Sequence, residues 1–271
     1  MAAIPSAPDF STKAILLRKI EYGDHDYIIT FLTQSHGKMS VMAKNAKKSV
    51  QRFSGALDLF SLNHIQCAFP KRNKNSMVML TQAEPENAFV EIRFDLVKVT
   101  YASYWCEILY LWMEEGRIQE DLYELLYFCL DMLSRSAIEP GVLSLFFQIR
   151  FMAISGFSPN MEGCEQCKTP LDRICEQQLW FDCKEGRIIC ESCRTMNQRV
   201  HSLEEYGILV SRGTVKQLFW MNNAEAARAD RIRFSPLALE EGQTLMETFI
   251  PFHIGRTMKS LRFLQQLRKR Q

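Results

Sequence analysis

Two pairs of cysteines, Cys164-x2-Cys167 and Cys190-x2-Cys193, stand twenty-two residues apart in the middle of a 271-residue chain. Each pair brings two thiols to one side of a tight turn, and two such turns together can close a tetrahedron of sulfur around a metal ion. Four thiolates at about 2.3 Å suit Zn2+, which has no redox chemistry of its own, and they leave no coordination position open. That describes a structural site. Between the pairs, Gln178 to Phe181 (QLWF) and Arg187 to Ile189 (RII) predict a hairpin with its turn near Gly186, which swings the second pair back onto the first. The stretch from Cys164 to Cys193 holds six of the nine cysteines, so Cys175 and Cys183 are surplus to a four-ligand site. Either could take a ligand position, and Cys183, beside the turn, is the nearer competitor.

A disulfide framework and a CxxC redox site are the alternatives. The first needs an oxidising compartment. The opening MAAIPSAPDF lacks the basic start and apolar centre of a secretory signal, and no run of eighteen apolar residues occurs, so the expectation is a cytoplasmic chain that neither enters a membrane nor is exported. The second alternative lacks a surrounding βαβ pattern. His201 lies too far beyond Cys193 for a histidine knuckle. Cys106 and Cys129 fall inside helical patterns and read as core thiols. No constellation of His, Cys and Asp and no carboxylate pair stands out, so no catalytic residue is assigned and no enzyme activity is expected.

The elements around the cysteines fall into two textures. Lys13 to Ile20, Tyr27 to Thr33, Lys38 to Ala43, Leu57 to Phe69 and Ser76 to Gln82 are short strand-like runs separated by turn residues such as Gly37. Five such runs suit a small barrel of the OB type over residues 1–84. From Phe94 the apolar residues recur at three-and-four spacing, through Tyr101, Trp105, Ile108 and Trp112; Glu120 to Leu133 repeats the signal, and Pro140-Gly141 opens a third helix. Residues 85–271 therefore read as an α-helical domain interrupted by the cysteine module at about 160–200. Past it, Ser202 to Arg212 is expected to be a helix with a capping box from Ser202 to Glu205. Pro236 to Phe249 and His253 to Leu267 are expected to be two helices broken at Pro251. The fold class is α+β.

Net charge is only +2, but its distribution is uneven. Lys38, Lys44, Lys47, Lys48, Arg52, Lys71, Arg72 and Lys74 face one acid, Asp58, within the barrel segment. Basic loops on such a barrel are a phosphate-binding pattern, and OB barrels commonly pair a cationic groove with exposed rings. Phe53, Phe60, Phe69, Tyr22 and Tyr27 are the rings available. Most aromatics in a small barrel fill its core, so none is singled out as a stacker. The last helix ends in Leu267-Arg268-Lys269-Arg270, a second candidate anion contact. A zinc-containing regulator reading a specific DNA or RNA sequence would share these features.

Four segments in order carry a resemblance to a known family: KAILLRKIEYGDHDYIITFLTQSHGKMSVMAKNAKKS from Lys13, GALDLFSLNHI from Gly55, FQIRFMAISGFSPNMEGCEQC from Phe147, and GRTMKSLRFLQQL from Gly255. Together the chain resembles RecO, the family of bacterial recombination mediators and DNA-annealing proteins, over roughly residues 11–268. The resemblance implies an OB-fold that binds single- and double-stranded DNA and a helical domain with a zinc module. It also implies annealing of complementary strands, including strands coated with single-stranded-DNA-binding protein (SSB), contact with the SSB C-terminal tail, and loading of RecA with RecR. Carried onto this chain, it makes Lys38, Lys44, Lys47, Lys48 and Arg52 phosphate contacts, with Lys71 and Arg72 on a neighbouring loop. It makes Cys164, Cys167, Cys190 and Cys193 the zinc ligands, and it implies a cytoplasmic, nucleoid-associated protein. If six or more basic residues contact phosphate, affinity falls by roughly 10³ or more between about 50 and 200 mM salt.

Overall fold

The strand Phe10–Tyr22 (β1) is long enough to pair on both of its edges. Its first half runs antiparallel to Leu62–Ala68 (β4), from Phe10 opposite Cys67 to Ile15 opposite Leu62, and its remainder pairs with Asp26–Thr33 (β2). An irregularity in register between Leu16 and Arg18 bends the strand where it changes partner. Gly37–Ala43 (β3) continues from β2, and Val78–Asn87 (β5) pairs antiparallel with β4 and parallel with β3 at Val41 and Val78. The order β1-β2-β3-β5-β4 closes a five-stranded barrel of the OB kind. The computed structural model that shows this describes residues 9–53, 55–70, 77–135, 138–196, 205–223 and 233–270.

Alternation of side chains fills the barrel. Ala14, Leu16, Ile29, Phe31, Val41, Ala43, Ile65, Cys67, Leu80 and Ala83 form its core, and Phe53 of the short helix Val50–Phe53 (α1) closes it together with Ala56 and Leu57. After β5 come Val90–Arg93 (α2), Leu96–Trp112 (α3) and Glu120–Arg135 (α4). Asp95 caps α3 by accepting the backbone N–H groups of Val97 and Lys98, a contact worth about 1 kcal/mol. The chain divides into two compact units, Met1–Ser136 with Gln266–Gln271, and Ala137–Gln265. The helices α3 and α4 thus share a compact unit with the barrel.

In the second unit, Pro140–Ile154 (α5), Arg212–Asn223 (α7) and Pro236–Ile254 (α8) pack on one another. Gly242 allows the closest approach: a Cβ there would stand 3.0 Å from the Leu145 side chain and 3.5 Å from Leu218. The cysteine module contributes Gln178–Asp182 (β6), Arg187–Cys190 (β7) and Glu191–Met196 (α6). Gly186, at φ 63°, makes the β6–β7 turn, as expected.

Two expectations fail here. Gly207–Ser211, expected to be helical, is a strand (β8) on the free edge of β6, with Val210 opposite Leu179 and Ile208 opposite Phe181. The run GILVS, with β-branched Ile208 and Val210, satisfies an open strand edge, which outweighs a local capping signal, and Ser202 itself lies outside the described residues. Pro251 does not break α8. The helix passes through it and stops at Gly255, whose left-handed φ of 68° and N–H donated to the Pro251 carbonyl end it; Lys259–Arg268 (α9) follows. No helix among the described residues is long and apolar enough to cross a membrane.

Candidate metal centre and nucleic-acid interface

The first cysteine turn is built by backbone contacts. Lys168 takes a left-handed φ of 58° and donates its N–H to the Cys164 carbonyl at 2.9 Å, while the Cys164 N–H returns to Thr169 O at 2.9 Å. Gly163 is required by this closure, since a Cβ there would stand 2.4 Å from Thr169 O. Glu165 N–H donates to Ile188 O at 2.9 Å and ties the turn to β7. The second pair begins where β7 ends: Cys190 donates its N–H to Cys164 Sγ at 3.3 Å, and Cys193 sits in α6.

The four sulfurs of Cys164, Cys167, Cys190 and Cys193 all lie within 4.8 Å of one another. A tetrahedron with bonds of about 2.3 Å has edges of about 3.8 Å. The Cys167–Cys190 sulfur separation is 3.8 Å. Four thiols so grouped could hold a metal ion, and the donor set fits zinc. Hydrogen bonding from Thr169, whose hydroxyl oxygen is 3.1 Å away, draws the exposed Cys167 thiol down to about 6, whereas burial raises those of Cys190 and Cys193. Neither surplus cysteine joins the group. Cys183 is buried, its thiol pushed up to about 12 by desolvation, and Cys175 is exposed with its sulfur directed at Arg173 O. Behind the site, Phe181 of β6 meets Phe249 of α8 edge to face at 5.3 Å, and a Cβ at Gly186 would come within 3.1 Å of the same ring.

The basic residues of the barrel separate by environment. Lys44, Lys47 and Lys48 are exposed on the turn between β3 and α1. That turn is pinned from beneath: Asn45 N–H donates to Asp26 Oδ1 at 2.7 Å, Lys47 N–H to His25 O at 3.1 Å, and the Arg52 guanidinium to Lys44 O at 2.6 Å and Ser49 Oγ at 3.0 Å. Arg52 thus ties the turn together through two neutral acceptors and keeps its positive charge. Lys47 is hydrogen-bonded to the Glu21 carboxylate at 2.9 Å, which holds its ammonium above the usual value. A surface pair of this kind is weakly held. Lys44 and Lys48 make no ion pair with other described residues.

Lys38 makes contacts within its own unit. Its Nζ donates to Tyr110 O at 2.8 Å and lies over the Tyr110 ring, and burial lowers its pKa, partly opposed by Glu115. Ser40 Oγ donates to the Glu115 carboxylate at 2.5 Å, and Gly116 N–H to Lys38 O at 2.9 Å. The segment Tyr110–Arg117 thus packs on the first residues of β3, so closely that a Cβ at Gly37 would stand 2.1 Å from Arg117 O. Replacing Lys38 with methionine is expected to cost about 1 kcal/mol in urea unfolding, because Tyr110 O loses its donor, and to leave oligonucleotide affinity within about twofold. Sequence reasoning could not distinguish this lysine from Lys44. Lys71 and Arg72 lie outside the described residues.

Of the five candidate rings, Phe53 and Phe60 are buried and Tyr27 packs against the core. Phe69 and Tyr22 are 49% and 53% exposed.

Comparison with known proteins reaches both parts of the chain. The family model described as Recombination protein O N terminal matches residues 8–89, and that described as Recombination protein O C terminal matches residues 93–262. Among curated relatives named DNA repair protein RecO, that of Desulfatibacillum aliphaticivorans is 39% identical over 97% of this chain and 99% of its own length. That of Desulfosudis oleivorans is 36% identical over 96% and 99%. That of Syntrophus aciditrophicus is 29% identical over 95% and 96%.

Proposed function

The chain belongs to the RecO family of DNA repair proteins, and from that premise we propose that it binds single- and double-stranded DNA and anneals complementary strands. The observation that carries the reading is the rigid turn at the end of β3, which presents Lys44, Lys47 and Lys48 to solvent with their backbone held by Arg52 and Asp26. Annealing requires neutralisation of two phosphate backbones without base readout, and fixed lysines supply charge with no sequence code. Lys71 and Arg72 belong to the same proposal by their place in the sequence.

The second part of the proposal is that Cys164, Cys167, Cys190 and Cys193 hold one zinc ion with no open position. The metal would supply structural closure alone: it would pin β7 and α6 to the first cysteine turn and keep the β7-β6-β8 sheet against the Phe249 side of α8. The role is one of binding rather than catalysis. By family membership the partners are RecR, the SSB C-terminal tail and, functionally, RecA, in the bacterial cytoplasm at the nucleoid. Fluorescence-monitored annealing of complementary oligonucleotides tests the reading: the purified protein is expected to accelerate pairing for unrelated sequences alike, and acceleration confined to one sequence, or none, would remove it.

A further inference from the structure

OB barrels usually receive a strand across β2 and β3. Here the Tyr110–Arg117 segment packs on the first residues of β3, through Lys38, Ser40 and Gly37. One end of the usual path is thus occupied, and three rings at the barrel rim mark another route. Phe10 opens β1, His36 lies in the β2–β3 turn, and Phe69 follows β4. The Phe10 and His36 rings stack with centroids 4.2 Å apart at 29°, and Phe69 continues the row at 5.1 Å and 37° from Phe10.

The row is held from both ends. Phe10 packs on the barrel core, and Ser35 Oγ lies 2.8 Å from His36 Nδ1 and donates to Thr12 Oγ1 at 2.8 Å. The backbone N–H of Phe69 donates to Asp9 Oδ2 at 2.6 Å. Phe69 nevertheless leaves 49% of its surface in water. Single exposed apolar residues are common. A ring fixed at the open end of a stack is also a preorganised surface for another planar π system, and bases stack on such rings without sequence preference.

We propose that Phe69 is a base-stacking platform for single-stranded DNA at the rim of the barrel. This rests on the reading that the barrel binds DNA, and adds to it a contact that duplexes cannot use, because their bases are already stacked on one another. Cationic turns then take the backbone of either form, and Phe69 favours the single strand.

The test is equilibrium titration of the parent chain, Phe69→Leu and Phe69→Trp with an oligo-dT and with a mixed-sequence duplex of equal length. Phe69→Leu is expected to weaken single-strand binding by about 5- to 100-fold and to leave duplex binding within about twofold. Phe69→Trp should keep single-strand affinity, and its emission should be quenched by oligo-dT beyond the change seen in the parent chain. Retained single-strand affinity in Phe69→Leu, equal losses on both DNA forms, or no added quenching in Phe69→Trp would each overturn the platform. A parent chain that binds neither DNA would overturn the DNA-binding reading, and the platform with it.

Discussion

On the proposal that the four thiolates hold zinc, a Cys190→Ser chain will purify without the metal and will melt roughly 10 °C or more below the parent in zinc-containing buffer. Cys190 is the residue through which the two cysteine turns meet: its sulfur is 3.8 Å from that of Cys167, and its N–H donates to the sulfur of Cys164. Binding to the native state at about a thousand times the dissociation constant stabilises by about 4 kcal/mol, and structural zinc is often held more tightly than that. For a unit of this size each kcal/mol moves the midpoint by about 3 °C. The loss should be local at first. Without the metal, α6 and the first turn lose their common anchor, and the sheet β7-β6-β8 loses its hold at one end. Metal analysis, thermal melting and hydrogen exchange across residues 160–196 check this together. Cys183→Ser, by contrast, should keep the metal, since Cys183 stands outside the group of four sulfurs. A Cys190→Ser chain that retained one equivalent of zinc would show that another ligand completes the site.

The double reversal Lys44→Glu/Lys48→Glu is expected to lower single-strand affinity by one to two orders of magnitude at about 50 mM salt while leaving the melting temperature within about 2 °C. Both side chains are exposed and make no ion pair among the described residues, so the fold loses no contact with them. Each phosphate contact contributes about 0.7 to the slope of log affinity against log salt for single strands, so losing two contacts should reduce that slope by about 1.4. The slope of the parent chain is informative by itself. Lys44, Lys47 and Lys48 acting alone give a fall of about 20-fold between about 50 and 200 mM salt. Adding Lys71 and Arg72 makes five contacts and a fall of about 130-fold, and a fall nearer 10³ would need about seven contacts, the whole basic set.

Much of this architecture is legible in the sequence, for reasons particular residues show. Strand β3 announces itself because inward Val41 and Ala43 alternate with half-buried Ser40 and Met42, whereas β2 reads as a continuous apolar run in which Thr30 and Leu32 are buried along with Ile29 and Phe31. The two x2 spacings pick out the four sulfurs that lie together, since a tight turn can present thiols only at such intervals. Other features depend on partners far away in the chain. Gly207–Ser211 becomes a strand because β6 offers an edge, which nothing near residue 207 encodes. Helix α8 survives Pro251 because burial of Leu245, Met246, Phe249 and Ile250 offsets the roughly 3 kcal/mol that a proline costs inside a helix, and Gly255 supplies the stop. Lys38 and Lys44 are equivalent in a charge count and differ only in whether a carbonyl from residue 110 stands within reach. Phe69 could not be separated from Phe53 or Phe60 until the barrel showed which ring is left outside.

Annealing kinetics test the central claim most directly. Two fluorophore-labelled complementary oligonucleotides are mixed with the parent chain or with Lys44→Glu/Lys48→Glu, bare or precoated with SSB, for two unrelated sequences. The account predicts faster pairing by the parent chain in all four conditions, with similar rates for the two sequences, and rates close to spontaneous pairing for the double variant. Equal acceleration by the double variant, or pairing by the parent chain at the spontaneous rate, would contradict it.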